Sequence, residues 1–247
     1  VGCPLQVASY KSAEDIAEID AARTFRQLRQ ADYLLMGPGS PTYTVRQLKD
    51  SPIPEIMIEL INRGGCLVAA SAAALTAGRC TLPVYEIYKV GAPPHWIGGL
   101  DLLGAFGLPL VVIPHWNNAE GGTHDTSRCF MGNSRFEQLV ERLDEPLPVL
   151  GLDEHTACII DFSADTFIIQ GIGNVVLQHG STQQLFTPGS TYPLHLLRRA
   201  NQRILCDGIV PRTIKHVVPF AHLFRPWLGD FCSVSLNDHT VRCQDTG

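Results

Sequence analysis

The sequence predicts an α/β fold in which helices cover both faces of a mostly parallel sheet. Short, continuously apolar runs alternate with segments of helical periodicity along most of the 247 residues. Strands that are buried on both faces show such continuous runs. A hydrophobic content of 45% with 17% charged residues suits a sizeable core. The expected architecture is therefore a three-layer sandwich.

The predicted elements follow one another in a regular order. In the first half they are a strand at 32–37, an amphipathic helix at 53–64, a strand at 66–71 and the start of a helix at 72–78. Then follow a strand at 109–116, a helix at 134–143, one or two strands at 148–162 and a hairpin at 166–180. The late hairpin, with "GIGN" at its turn, would add antiparallel strands at one edge of the sheet.

The chain divides into two parts by composition. Residues 1–200 carry the periodic segments and are expected to form one domain. Residues 201–247 show little periodicity and hold three of the eight cysteines and three of the nine histidines. We expect them to be a C-terminal appendage. Their stretch "IKHVVPFAHLFRPW" leaves open whether they cover a site, mediate a homodimer or remain disordered.

Charge and cysteine usage exclude several classes of partner. The net charge of −5 argues against nucleic acid and anionic membranes. No apolar run approaches the ~20 residues of a membrane span, and no signal peptide is visible. The eight cysteines form no CxxC pair, which favours reduced thiols in the cytoplasm and disfavours a zinc site. We expect a cytoplasmic protein without a metal.

Four loops that follow predicted strands could carry chemistry. They are "GPGSPTYT" (37–44), the turn at Ser71, "PHWNN" (114–118) and "LDEHTA" (152–157). Active sites in open parallel sheets form where the carboxyl ends of the strands meet. These loops are therefore expected to lie together.

Ser71 stands between a predicted strand and a predicted helix. A serine in such a sharp turn can project its hydroxyl as a nucleophile, and the alanines around it allow close packing. The alternative is a small-residue packing turn. The amides of Gly39 and Ala72 are candidates for an oxyanion hole, with an ordinary Gly/Pro turn as the alternative for Gly39. A phosphate loop is disfavoured because neither GK[ST] nor GxGxxG is present.

His115 ends an apolar strand and is the candidate general base. The alternative is a histidine that only hydrogen-bonds within its loop. Two carboxylates could orient its ring: Glu154 in "GLDEHTA" and Glu86, fifteen residues after Ser71. Glu86 could instead pair with Lys89. Asp153 and His155 are expected to support the site or to lie on the surface.

Taken in order, these segments resemble one family. "ADYLLMGPGSPTY", "GGCLVAASAAALTAG", "VIPHWNN", "RFEQLVERL", "LGLDEHTACII" and "IIQGIGNVVLQ" look like the peptidase E and cyanophycinase group, peptidase family S51. The resemblance covers roughly residues 28–180. It implies the flavodoxin-like, class I glutamine amidotransferase-like fold in its serine-nucleophile branch. The family's first strand and helix have no clear counterpart, so we expect the domain to be truncated at its N-terminus.

The resemblance also implies roles for individual residues. Ser71 matches the family nucleophile, His115 the family histidine, and Gly39 the glycine-rich loop that supplies one oxyanion amide. The acid differs between branches: the cyanophycinase "GIDE-x-TA" glutamate falls on Glu154, and the peptidase E aspartate falls on Glu86. "GLDEHTA" is the closer match, so Glu154 is favoured and Glu86 is the alternative acid.

Two departures from the family affect the expected activity. Alanine replaces both elbow glycines, at positions 69 and 73, and the arginine-rich "RGR" of cyanophycinases is absent. Cyanophycin is therefore not the expected substrate. The resemblance implies cleavage of a small peptide or amide with an acidic residue at the scissile bond, which Arg128, Arg135 or Lys89 could bind.

The predicted function is therefore serine hydrolysis through an acyl-enzyme, without a cofactor. The main alternative is a non-catalytic amidotransferase-like module that binds a ligand or partner. A glutamine amidotransferase would normally have cysteine at the elbow. A thiol enzyme based on Cys66 is less favoured, because that cysteine begins its strand.

Overall fold

The computed structural model describes residues 5–11 and 16–198, and the predicted appendage at 201–247 lies outside them. The described helices are α1 (Glu18–Gln30), α2 (Pro41–Leu48), α3 (Ile53–Asn62), α4 (Ala72–Thr76), α5 (Val84–Tyr88), α6 (Ser127–Phe130), α7 (Gly132–Glu141) and α8 (His195–Arg198). The described strands are β1 (Tyr33–Met36), β2 (Cys66–Ala69), β3 (Cys80–Thr81), β4 (Ile97–Gly98), β5 (Val111–Ile113), β6 (Val149–Leu152), β7 (Thr156–Asp161), β8 (Thr166–Gly171), β9 (Val175–His179), β10 (Thr182–Phe186) and β11 (Thr191–Pro193).

The predicted helix at 53–64 is α3, and its apolar face covers the first parallel strand pair. Ile53, Ile56, Met57 and Leu60 recur at helical spacing and are all buried. Ile53, Ile56 and Met57 pack with Leu28 of α1 in one core cluster beside β1 and β2. None of the helices in the described part of the chain is long and apolar enough to cross a membrane.

The described strands form four sheets, of which only the largest contains both parallel and antiparallel pairs. β1 and β2 pair in parallel, as do β5 and β6. The order of the largest sheet is β10-β9-β6-β5, and β11-β8-β7 forms a second sheet. A short antiparallel pair joins β3 and β4. Two further core clusters pack around β5, β6 and β9 and around β8 and β10.

A mixed α/β architecture is confirmed, but a mostly parallel sheet is not what the described ladders show. Five ladders are antiparallel and only two are parallel. The parallel pairs occur where helices separate the strands in sequence: α2 and α3 before β2, α6 and α7 before β6. After β6, short turns join β7 to β8 and β9 to β10, and strands joined by so short a turn can pair only in antiparallel fashion.

The predicted hairpin at 166–180 is wrong. β8 pairs with β7, and β9 pairs with β10 and β6, so the two strands around "GIGN" belong to different sheets. The real hairpins turn at residues 162–165 and 180–181. In the first, Asp161 Oδ1 accepts hydrogen bonds from the N–H groups of Ser163 and Ala164, which fixes the reversal there.

Candidate active site

Ser71 lies in a sharp turn between β2 and α4. β2 ends at Ala69 and α4 begins at Ala72, so the structure has the strand–serine–helix order that the sequence predicts. Ser71 has φ 53° and ψ −115°, a conformation that costs free energy for any residue other than glycine. The alanines of α4 are buried, which allows this helix to pack closely against β5.

His115 reaches Ser71 from the loop that follows β5. Its Nε2 lies 2.8 Å from Ser71 Oγ. The loop is held from two directions: the N–H of Cys129 donates to the carbonyl of His115 at 3.1 Å, and the N–H of Trp116 donates to the carbonyl of Leu152 at 2.9 Å. His115 also has a positive φ of 53°. The ring is therefore presented by a strained and well-anchored backbone.

Glu154 completes a chain of hydrogen bonds from the loop after β6. Its Oε1 lies 3.0 Å from Nδ1 of His115. The side-chain hydrogen bond from Asn118 is the largest cause that lowers the Glu154 pKa below its ordinary value, and the His115 bond lowers it further against a burial effect that raises it. An ionised carboxylate can only accept, so Nδ1 carries the proton and Nε2 accepts from the Ser71 hydroxyl.

The second candidate acid does not take part in this chain. His115 Nδ1 bonds to Glu154, whereas Glu86 lies on α5. Glu86 Oε2 is buried and has no hydrogen-bond partner among the described residues. Of the two carboxylates that the sequence left open, the structure brings Glu154 to the histidine.

Two asparagines in "PHWNN" hold Glu154, and the sequence did not single them out. Asn118 Nδ2 donates to Glu154 Oε1 at 2.7 Å, and Asn117 Oδ1 accepts from the Glu154 N–H at 2.8 Å. Asparagines are common in ordinary loops, so their type gave no signal. The signal available was their position, directly after His115.

The motif "GLDEHTA" has a structural reason at most positions. A Cβ on Gly151 would lie 2.3 Å from the indole of Trp116, so only glycine fits there. Asp153 Oδ2 accepts from the Asn174 N–H at 2.8 Å, and Thr156 Oγ1 accepts from the Gly173 N–H at 3.0 Å. These bonds tie the connection before β9 to the Glu154 loop.

Asp153 and His155, the residues on either side of Glu154, have different surroundings. Asp153 supports the site, whereas His155 is exposed and only its nearby charge acts on the Glu154 pKa. Both outcomes fall within the expectation that these residues support the site or lie on the surface.

One candidate oxyanion amide, that of Ala72, follows Ser71 directly, and the other, that of Gly39, is in the loop after β1. Met36 of β1 and Ala69 of β2 are in register, and the Ala70 N–H donates to the Met36 carbonyl at 3.0 Å. The loop containing Gly39 therefore runs next to the serine turn. The N–H of Ala72 belongs to the first turn of α4, where helix N–H groups have no partner within the helix. Neither amide has a hydrogen-bond acceptor within residues 5–11 and 16–198.

Arg128, Arg135 and Lys89, the basic side chains that could bind an acidic substrate, have different surroundings. Arg128 stacks on the Trp116 ring at 3.8 Å and donates to the Trp116 carbonyl at 3.0 Å. Phe130, two residues after Arg128, packs against the His115 ring with 5.9 Å between the ring centroids. Lys89 stacks over Tyr85, and Arg135 is exposed on α7 (Gly132–Glu141).

Three of the four described thiols, Cys66, Cys129 and Cys158, are not suited to catalysis. Cys66 pairs with Tyr33 at the start of β2, the end away from Ser71. Burial raises the pKa of Cys129 and of Cys158 to about 12. In the described ranges, no group of three or more His, Cys, Asp or Glu side chains is placed to hold a metal ion.

Comparison with known proteins agrees with the resemblance read from the sequence. A peptidase from an acI-B1 Actinobacterium matches with a TM-score of 0.55 and 20% identity, covering 71% of this chain. This chain spans 65% of that peptidase's length. At this identity the likeness shows that the two proteins share a fold. No protein-family model and no curated protein matches the chain.

A second solved structure also carries a peptidase name. A protein named "Putative Peptidase E" from Listeria monocytogenes EGD-e matches with a TM-score of 0.38 and 13% identity, over 66% of this chain and 63% of that one. At that TM-score the likeness carries no argument about the fold.

Proposed function

We propose that this protein is a serine hydrolase that cleaves a peptide or amide bond through a Ser71–His115–Glu154 triad. The observation that carries the proposal is the hydrogen-bond chain from Ser71 Oγ through both nitrogens of His115 to Glu154 Oε1. A nucleophile bonded to a base that is oriented by a third group is the arrangement that activates a serine. The peptidase name of the structural neighbour is consistent with it.

The first half of the reaction forms an acyl-enzyme. Ser71 Oγ attacks the carbonyl carbon as His115 Nε2 takes the hydroxyl proton, and the imidazolium is stabilised by the Glu154 carboxylate. The tetrahedral intermediate collapses when the C–N bond breaks, and His115 gives its proton to the leaving amine. An ester to Ser71 and a free amine result.

The negative oxygen of the intermediate needs donors near Ser71. The N–H of Ala72 follows the nucleophile at the start of α4, and the N–H of Gly39 lies in the adjacent loop. Two such amides without another acceptor form an oxyanion hole. Removing one donor of such a pair typically costs about 10²–10³-fold in rate.

The second half of the reaction returns the free enzyme. His115 takes a proton from water as that water attacks the ester carbonyl, and then protonates Ser71 Oγ as the acid leaves. We further propose that the two parallel strand pairs place this site in a class I glutamine amidotransferase-like arrangement, because Ser71 and His115 each follow a strand of a parallel pair.

Labelling with a fluorophosphonate tests the proposal directly. Wild-type protein is expected to gain one adduct by intact mass, and Ser71→Ala is expected to gain none. Ser163→Ala is the matched control, because the Ser163 hydroxyl also forms a strong hydrogen bond, to Asp161 at 2.6 Å, but in the β7–β8 turn. This variant should label like the wild type.

Substrate screening follows if Ser71 is labelled. Small dipeptides and amides with an acidic residue at the scissile bond are the first substrates to test, beside neutral dipeptides of equal length. A folded wild-type protein that gains no adduct would refute the triad and favour a non-catalytic binding module.

A further inference from the structure

A buried amide donates to the same carboxylate oxygen that orients the histidine. Glu154 Oε1 accepts from His115 Nδ1 at 3.0 Å and from Asn118 Nδ2 at 2.7 Å. Asn118 is only 3% exposed, whereas the side chain of the other partner, His115, is 31% exposed. The more rigid partner of the carboxylate is therefore the asparagine.

The surrounding loop fixes which way the Asn118 amide points. Its Oδ1 accepts from the Glu120 N–H at 3.3 Å, so Nδ2 is left to face Glu154. The Thr126 hydroxyl donates to the Asn118 carbonyl at 3.5 Å and accepts from the Gly121 N–H at 3.1 Å. The loop thus closes on itself and holds the amide in one orientation.

We infer that Asn118 is a positioning residue that keeps the Glu154 carboxylate aimed at His115. The inference rests on the proposed function. The terminal torsion of a glutamate is soft, and a partly exposed carboxylate would otherwise turn towards water. A donor fixed on Oε1 restrains that rotation, and it favours the ionised form that stabilises the imidazolium.

A purely structural role makes a different prediction. If Asn118 only satisfies its loop, its loss weakens the site whether or not a carboxylate is present at position 154. If it acts through Glu154, its loss has no further effect once that carboxylate is gone. A double-mutant cycle separates these roles.

The experiment measures the second-order rate of fluorophosphonate labelling in four proteins. They are the wild type, Asn118→Ala, Glu154→Ala and the double variant, because alanine at position 154 leaves no oxygen for the Asn118 amide to donate to. The expected result is a loss of about tenfold for Asn118→Ala, which corresponds to a modest share of a charge-assisted hydrogen bond. The double variant should label at the rate of Glu154→Ala. Asn133→Ala is the matched control, because Asn133 is exposed on α7.

A second variant gives a readout that loop damage would not produce. Asn118→Asp places a carboxylate against Glu154, and two adjacent carboxylates raise one pKa strongly. His115 and His155 are the titratable groups that lower the Glu154 pKa from its surroundings. In the plot of labelling rate against pH, the acidic limb is expected to move to higher pH in Asn118→Asp. The control Asn133→Asp should leave the acidic limb in place.

The outcomes are distinguishable. A wild type that does not label refutes the proposed function and this inference with it. A wild type that labels at Ser71, with Asn118→Ala folded and equally fast, refutes the inference alone. The same holds if the losses of Asn118→Ala and Glu154→Ala multiply in the double variant. Thermal unfolding of each variant shows that the compared proteins are folded.

Discussion

Gly151→Ala tests whether the packing behind the site fixes its geometry. A Cβ at this position would lie 2.3 Å from Trp116 Cδ2 and 2.5 Å from Cε3, where ordinary contact begins at about 3.4 Å. The indole must therefore withdraw by about 1 Å. It has little room, because Trp116 is 4% exposed, packs edge-on against Phe136 and lies under Arg128.

The sign of the stability change is decided by this contact. Gly151 lies within β6, where replacing glycine by alanine would on its own stabilise by roughly 0.5–1 kcal/mol. Overpacking a well-packed core costs about 1–3 kcal/mol. The net loss is then up to about 2.5 kcal/mol, which corresponds to a fall in Tm of up to roughly 10 °C for a domain of this size.

The labelling rate should fall as well, because Trp116 follows His115 directly in the chain. A displacement of about 1 Å in a catalytic group can cost about 100-fold in rate, so we expect a decrease of tenfold or more. Differential scanning calorimetry and fluorophosphonate labelling measure the two effects. Gly37→Ala is the control for stability, since a Cβ there meets nothing within 4 Å. A Gly151→Ala protein as stable and as reactive as the wild type would refute the reasoning.

Three further predictions follow from the site and the core. Glu154→Gln should lower the labelling rate by about 10²-fold or more, and Glu86→Gln should leave it near the wild-type value; the reverse order would make Glu86 the acid. Because the pKa of Glu154 is lowered in the folded protein, its ionised carboxylate contributes to stability at pH values above the ordinary pKa of 4.5, and this contribution is lost as the pH falls through the lowered pKa. The free energy of unfolding, measured by urea titration, should therefore fall more steeply with decreasing pH in the wild type than in Glu154→Gln. Phe167→Ala, at a fully buried ring stacked on Tyr192, should cost about 3–5 kcal/mol, and a loss below 1 kcal/mol would contradict the core assignment.

The sequence predicted best where the local pattern and the tertiary environment agree. The strand before Ser71 has a continuous apolar run and α3 has apolar residues at helical spacing, and both elements are present in the structure. The prediction of a hairpin at 166–180 was wrong. "GIGN" contains residues that favour a turn, but the strands with which β8 and β9 pair are determined by other parts of the sheet. The Asp161 side chain fixes the true turn earlier, and glycine-based turn signals do not report such side-chain bonds.

The residue types of the candidate site followed from the sequence, and the resemblance favoured Glu154 as the acid, but the spacing of the residues did not choose between the two carboxylates. Both Glu86 and Glu154 follow the nucleophile at plausible positions, and sequence spacing cannot tell which loop meets His115. That choice is made by the parallel pairing of β5 with β6, which places the loops that follow Ile113 and Leu152 side by side. The contribution of Asn118 was hidden for the same reason, because its partner is 36 residues away in sequence.

The alanines at the elbow are compatible with a strained nucleophile turn. The positive φ falls on Ser71 itself, while Ala69 lies in β2 and Ala73 in α4 with regular backbone. Backbone conformation therefore does not require glycine at either flanking position. Six of the eight described non-glycine residues with positive φ lie around the site. Ser71, His115 and His155 are in loops, and Arg128, Cys129 and Phe130 are left-handed residues within α6. Such conformations cost about 1–3 kcal/mol each and persist where surrounding contacts hold them, which is characteristic of functional sites. The concentration of this strain in the loops of Ser71, His115 and Glu154 and in the adjoining α6 is difficult to account for if Ser71 merely fills a packing turn.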